Sequence, residues 1–247
     1  MKWFRPQFLP ALACLALVLA GFWATSDSGS AALPEYSSKR ASASMPLRAQ
    51  PIVDCAELSC IALTFDDGPD AIHTPQVLAI LQAKQVRATF FVVGAHAARH
   101  PDIIRRIHRE GHEIGNHSWN HANLTKLQPA EIAQQVTDTQ AAVMQAGAPA
   151  PRWFRPPYGA MNPAVRAHVP LPLALWNVDP EDWDKKDQAD IKDHVIFHAG
   201  RGRIVDLHDM HGPTAEALPA IIDQLKGQYE FVTMSELFNA APGIRGE

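Results

Sequence analysis

Short apolar runs alternate along this chain with segments whose apolar residues recur every three or four positions. Ile61 to Phe65, broken only by Thr64, runs into Asp66-Asp67 and then Gly68-Pro69, which predicts a buried strand ending in an acidic turn. Thr74-Pro75 precedes Val77, Leu78 and Leu81, the pattern of a helix with Pro just inside a Thr cap. Ala88 to Val93 is a second buried strand, ended by Gly94. Pro101 opens a helix through Ile103, Ile104 and Ile107 that Gly111 closes, and Glu113 to Asn116 is a short strand leading into His117. A long helix is expected from Pro129 to about Met144, and strands at Trp153–Arg155, cut off by Pro156-Pro157, and at Leu173–Asn177. Asp187–Phe197 reads as a helix, Arg203–Leu207 as a strand ending at His208, and Pro213–Lys226 as a helix. Tyr229–Val232 is the last predicted strand and Ser235–Phe238 the last helix.

Strand and helix thus alternate about seven times, which gives parallel strands with crossover helices. The fold class expected is α/β in a single domain over 52–239, and seven or eight such units close better as a barrel than they lie open. Fixed-period repeats and a glycine-rich phosphate loop are absent from the sequence. The polar residues of interest follow strands: Asp66-Asp67, His117, Arg155, Asp179 to Asp182, and His208. Barrels of this type carry chemistry at the carboxyl ends of their strands, so residues far apart in sequence can share one pocket.

Outside the periodic region the composition changes. Lys2 and Arg5 precede an apolar run from Phe8 to Ala24, with no acidic residue before Asp27, the layout of a secretory signal. Residues 1–24 are read as a signal peptide or, uncleaved, a membrane anchor tethering the chain through 8–24. Cys14 lies inside the run, which argues against a lipoprotein cleavage box. Residues 25–51, rich in Ser and Ala, are read as a flexible linker, and 240–247 as a tail. The chain is therefore expected to be exported to the periplasm, cell envelope or exterior. In that setting Cys55 and Cys60 read as a disulfide clamping the entry to the domain, with two free thiols as the alternative. Of 247 residues, 47% are hydrophobic, enough for a real core. The formal charge of −4 and the lack of a basic stripe argue against a nucleic-acid partner.

The chemistry-bearing residues form a set. Asp66 and Asp67 are adjacent on a strand end, so their side chains should point in different directions and take different jobs. Alone, they also suit an acidic surface turn. His117 and His121 are four apart, which on a helical turn puts two imidazoles on one side, though surface histidines share that spacing. Joined to a carboxylate from the first strand end they make a two-His, one-carboxylate set with open positions for water and substrate. Arg155-Pro156-Pro157-Tyr158 holds an arginine and a backbone amide rigidly, Asp179-Pro180-Glu181-Asp182-Trp183 packs carboxylates and an aromatic into one loop, and the strand from Ile204 delivers His208.

On these stretches, in this order, the chain resembles the NodB-homology polysaccharide deacetylases, carbohydrate esterase family 4. The carrying motifs are Thr-Phe-Asp-Asp-Gly-Pro at 64–69, His-Ser-x-x-His at 117–121, Arg-x-Pro-Tyr at 155–158, Asp-x-x-Asp-Trp at 179–183 and the strand into His208. The resemblance implies a distorted (β/α)7-type barrel and metal-dependent hydrolysis of N-acetyl, sometimes O-acetyl, groups on sugars. It implies that Asp67, His117 and His121 bind one divalent metal ion, zinc or else cobalt or nickel. Asp66 would be the general base, with Arg155 holding it. Asp182 would orient His208, the general acid, and the Tyr158 amide would help hold the oxyanion.

One position departs from the family pattern: Asp206 stands two residues before His208, where the family has Leu against the acetyl methyl. By parity both face the interior, and a buried carboxylate there calls for a partner such as Arg203 or a polar acyl substituent. Trp183 is the expected substrate-contacting aromatic, along with Tyr158, whereas Trp153 and Trp176 are expected to pack the core. His73, His96, His100, His108, His112, His168, His194 and His198 show no partner pattern and are expected on the surface; His211 is near His208 without an evident role. The activity expected is N-deacetylation of amino-sugar glycans of peptidoglycan or chitin type by a monomer. The alternatives are an O-acetyl esterase of xylan type and a catalytically silent carbohydrate-binding protein. A glycosidase is disfavoured, because its two carboxylates must sit at least about 5 Å apart across a sugar ring.

Overall fold

The computed structural model describes residues 53–184 and 186–239. The segments read as signal or anchor, linker and tail lie outside the described residues, and among those described no helix is long and apolar enough to cross a membrane.

The regular sheet is parallel throughout. β1 (Cys60–Asp66) is its centre, flanked by β2 (Thr89–Val92) and β4 (Arg203–His208), with β3 (Glu113–Asn116) outside β2 and the short β5 (Glu230–Phe231) against the start of β1. Helices α1 (His73–Lys84), α2 (Gly94–Arg99), α3 (Pro101–Arg109), α4 (Pro129–Gln145), α5 (Pro163–His168), α6 (Gln188–His198), α7 (Gly212–Leu225) and α8 (Met234–Asn239) fill the connections. A parallel α/β fold is thus what the chain adopts, but the barrel is more distorted than the sequence implies. The predicted strands at 153–155 and 173–177 are single bridges, Asn116 to Phe154, Phe154 to Leu173 and Val178 to Val205. Prolines explain this: Pro151, Pro156, Pro157, Pro170, Pro172 and Pro180 supply no N–H to a ladder and fix the backbone around each bridge. Two smaller corrections concern helices. α1 starts at His73, and Thr74 is not its cap; Asp70 Oδ1 instead accepts from the N–H groups of Ile72 and His73 at 2.9 and 2.7 Å. The turn α2 was also unforeseen.

Strand parity sorts the side chains. Ile61, Leu63 and Phe65 of β1, Phe90 and Val92 of β2, and Val205 and Leu207 of β4 face the helices and form the main core. Cys60, Ala62, Phe91 and Ile204 face the other way, into a smaller interior cluster with Ala174 and Val232. Cys55 joins this cluster and is bonded to Cys60 with Cα atoms 5.5 Å apart. The register then stacks Ala62 beside Ile204, Thr64 beside Asp206 and Asp66 beside His208. The interior therefore changes from apolar to polar toward the carboxyl ends of the strands, because the odd-numbered residues of β1 satisfy the helices and the even ones are free for chemistry. Gly115 of β3 matters here, since a Cβ would run into the Phe91 ring that fills the interior beneath the polar layer.

Candidate active site

Arg155 is the largest side chain with no exposure, and it occupies the centre of the polar layer. Its Nη1 donates to Thr64 Oγ1 at 2.8 Å, Asp66 Oδ1 at 2.8 Å and Asp206 Oδ1 at 2.7 Å, and its guanidinium lies 4.1 Å from the centre of the Phe91 ring. The partner of Asp206 is thus Arg155 and not Arg203. Burial, and next the charge of Asp66, push the Asp206 carboxyl well above its ordinary range despite Arg155.

Asp66 and Asp67 do not diverge as strand geometry suggests. Asp67 leaves the strand with φ 73, a left-handed conformation rarely held by a non-glycine residue. Both carboxylates consequently reach His117: Asp66 Oδ2 is 3.5 Å and Asp67 Oδ1 3.4 Å from its Nε2. His121 Nε2 is 3.3 Å from the same Asp67 oxygen. The two imidazoles do not share a helical turn; Ser118 and His121 both have positive φ, and Ser118 Oγ accepts from the His121 N–H at 3.1 Å. The tight loop brings the rings to 5.0 Å between centres.

His117 Nδ1 lies 2.7 Å from the Arg155 carbonyl, which can only accept, so Nδ1 carries the hydrogen and Nε2 faces the carboxylates. Burial disfavours a charge on His117, but the Asp66 charge and the Asp67 contact outweigh it and raise its pKa. Burial likewise opposes ionisation of Asp67, yet His117 holds its carboxyl far below the usual range. For His121 burial prevails and lowers the pKa. Asp67, His117 and His121 each offer one ligand atom, all within 4.8 Å of one another. Asp67 Oδ1 is buried with no hydrogen-bond partner, so the set fits a divalent cation.

Across the cavity His208 is anchored by Asp182. Asp182 Oδ1 is 2.8 Å from His208 Nδ1, and its Oδ2 accepts from the His208 backbone N–H at 2.8 Å and from Thr214 Oγ1 at 2.6 Å. Burial would depress the His208 pKa, but the Asp182 hydrogen bond and charge raise it to about 10. A cavity of about 400 Å³ is lined by Asp66, Asp67, His117, His121, Asp206 and His208, with Tyr158, Trp176, Asp179 and Trp183 around it. Tyr158 is 67% and Trp183 54% exposed, and the Tyr158 ring meets His121 edge-on at 4.6 Å between centres. Every residue named from the sequence as catalytic, metal-binding or substrate-contacting therefore borders this cavity except Arg155 and Asp182, which support it from behind.

Several partners escaped the sequence reading. Trp176 lines the cavity as well as packing the interior, and donates from Nε1 to Asp179 at 3.1 Å, whereas Trp153 packs on Phe238. His96 is not idle on the surface: its Nδ1 is 2.7 Å from the Asp67 carbonyl and fixes the acidic turn. His112 is buried, where desolvation and the nearby Arg87 and Arg106 lower its pKa to about 3. Neither has a spacing signal, since their partners are a backbone carbonyl and a loop amide distant in sequence. His211 stands 6.2 Å from His208 between ring centres, outside the cavity lining.

Comparison with known proteins agrees with this geometry. The polysaccharide deacetylase family matches residues 54–170. Peptidoglycan-N-acetylglucosamine deacetylase PgdA of Listeria monocytogenes is 44% identical over 179 residues, 72% of this chain; the chain spans only 38% of that protein's length. The solved structure of peptidoglycan deacetylase PdaC from Bacillus subtilis is 40% identical with a TM-score of 0.73, covering 76% of this chain and 93% of that one. A family 4 acetyl xylan esterase from Clostridium thermocellum, solved with a cobalt ion, is 39% identical with a TM-score of 0.70 over 73% of this chain and 90% of that one. The chain belongs to the polysaccharide deacetylase family, carbohydrate esterase family 4.

Proposed function

We propose that this chain is a metal-dependent hydrolase that removes N-acetyl groups from amino-sugar glycans of peptidoglycan or chitin type, acting on a carbon–nitrogen bond that is not a peptide bond. The observation that carries it is a three-ligand cluster with an orphaned buried carboxylate oxygen, set between Asp66 on one side and a charged His208 on the other.

Asp67, His117 and His121 would hold the ion, with zinc the proposed metal and cobalt or nickel as substitutes. When bound there, a divalent cation lowers the pKa of water and polarises a carbonyl oxygen. The rest falls to the protein. Asp66 accepts the proton of the attacking water, and Arg155 and the buried layer beneath keep its carboxylate aimed into the cavity. The Tyr158 amide, in a turn fixed by Pro156 and Pro157, stabilises the developing oxyanion; one such donor contributes about 3 kcal/mol. His208, its Nδ1 hydrogen held by Asp182, delivers a proton from Nε2 to the leaving amine. The Asp182 partner keeps His208 protonated where a free imidazole would lose its proton, as the role of acid requires. Trp183 and Tyr158 offer exposed aromatic faces at the rim to sugar rings.

The reading includes an exported protein, carried by residues 1–24 as signal or anchor, with 52–239 as its single catalytic domain, monomeric and bearing the Cys55–Cys60 disulfide. Likeness to an acetyl xylan esterase supports a second reading, O-deacetylation by the same residues. The test is to incubate the metal-loaded protein with N-acetylglucosamine oligomers, peptidoglycan glycan and acetylated xylan and to measure free acetate. Release from the amino-sugar substrates is expected; release from xylan alone favours the esterase, and no release from any substrate removes the hydrolase reading.

A further inference from the structure

The floor of the cavity bears on the acyl group itself, an inference that rests on the hydrolase reading above. The carbonyl carbon under attack carries an oxygen, the sugar-linked nitrogen and the acyl group's own next carbon. The glycan chain is too long for a 400 Å³ cavity, so it runs along the rim with Trp183 and Tyr158. The oxygen is directed to the place where Asp67, His117 and His121 would hold the cation, and to the Tyr158 amide. The remaining carbon therefore points away from the sugar, toward the least exposed lining residues, which are Asp66, His117 and Asp206. The first two are committed to the base and the cation ligands. Asp206 lies one inward position below His208 on β4, beside Thr64. Its Oδ1 accepts from Arg155, and its Oδ2 has no hydrogen-bond partner among the described residues. A methyl group on that floor would cover a carboxyl oxygen and offer it no hydrogen. A carbon bearing a hydroxyl would offer one.

We propose that Asp206 is a specificity-determining residue that makes 2-hydroxyacyl groups, of which glycolyl is the smallest, better substrates than acetyl. The substrate hydroxyl, which can donate or accept, bonds to the free oxygen of Asp206 while Arg155 holds the other. Hydrolysis needs only water: its oxygen bonds to the acyl carbon, the carbon–nitrogen bond breaks, the amine takes a proton, and glycolate leaves. Sites built to bond a substrate hydroxyl discriminate strongly against analogues that lack it, whereas a lone methylene in an apolar pocket discriminates weakly.

The experiment compares kcat/KM for N-glycolyl and N-acetyl forms of one glucosamine tetramer, with both acids measured by ion chromatography. The wild type is expected to favour glycolyl at least about tenfold, and Asp206→Leu to abolish or reverse that preference. The ratio is internal to each preparation, so partial loss of folded protein does not move it; Asp206→Ala is the second variant, and the wild-type ratio alone decides if neither folds. A wild-type ratio at or below unity, or a preference unchanged in the variants, overturns the proposal while acetate release keeps the hydrolase reading standing. Release of neither acid overturns both.

Discussion

Replacing Asp182 by Asn keeps the size of the side chain and removes its charge. Three donors converge on the two Asp182 oxygens: His208 Nδ1, the His208 backbone N–H and Thr214 Oγ1. An amide offers only one oxygen, so at least one donor is left facing an NH2 group. The raised His208 pKa, about 10, depends first on this hydrogen bond and charge, acting against burial. Without them it falls toward the ordinary value of 6.5, with burial pulling it down and the charges of Asp206 and Asp66 still holding it up. As the proposed general acid His208 must be charged, so activity is expected to fall as pH rises through its pKa. At pH about 8 a fall all the way to 6.5 takes the charged fraction from nearly all to about 3%, so the expected loss in kcat/KM is about 30-fold at most. At pH about 6 the loss from this cause is under about twofold. The assay is acetate release across pH 5 to 10, read as the position of the basic limb. A basic limb unmoved in the variant, whatever the height of the profile, would refute the coupling between Asp182 and His208.

Other perturbations test the layers around this pair. Arg155→Met leaves Asp66 and Asp206 buried without their shared cation, which is expected to cost about 3–5 kcal/mol and lower Tm by about 10 °C; a Tm within about 2 °C of wild type would contradict this. His117→Ala should lower metal affinity by more than the roughly 100-fold typical for loss of a mere supporting group, and unchanged metal content by elemental analysis would remove His117 from the ligand set. Asp209 is buried against Gly68 with one orphaned oxygen, and burial raises its pKa from 3.8 to about 7. A carboxyl with a raised folded pKa binds its proton more tightly when folded, so its contribution is fully stabilising at low pH and is lost as pH rises from 3.8 to 7. Asp209→Asn should therefore gain stability relative to wild type between pH 4 and 8, by about 4 kcal/mol at most, and parallel Tm curves for the two proteins across that range would count against it.

The parts of this fold that could be read from sequence are those where one strand face is buried and the other polar. β1 and β4 have apolar odd positions and end in Asp66 and His208, so their parity and their shared rim followed from the pattern. The bridges at Phe154 and Leu173 read as full strands because apolar residues there fill the interior while the surrounding prolines deny a ladder. The common direction of Asp66 and Asp67 depends on one positive φ, and alternation along a strand predicts the opposite. That Arg155 joins Asp66 and Asp206 was half legible: the arginine and each carboxylate stood out, but the contact spans 89 and 51 residues of sequence. His96 and Thr214 were invisible because each supports a neighbour's backbone or carboxylate and carries no motif of its own.

The proposed chemistry stands on one cation gripped by Asp67, His117 and His121, with Asp66 beside it handling the proton of the attacking water. Metal content and acetate release measured together on wild type and Asp66→Asn test it most directly. The account predicts about one equivalent of metal in both proteins, with turnover falling at least about 100-fold in the variant. Wild-type turnover in Asp66→Asn, or a wild-type protein that hydrolyses its substrate after chelation has emptied the site, would contradict it.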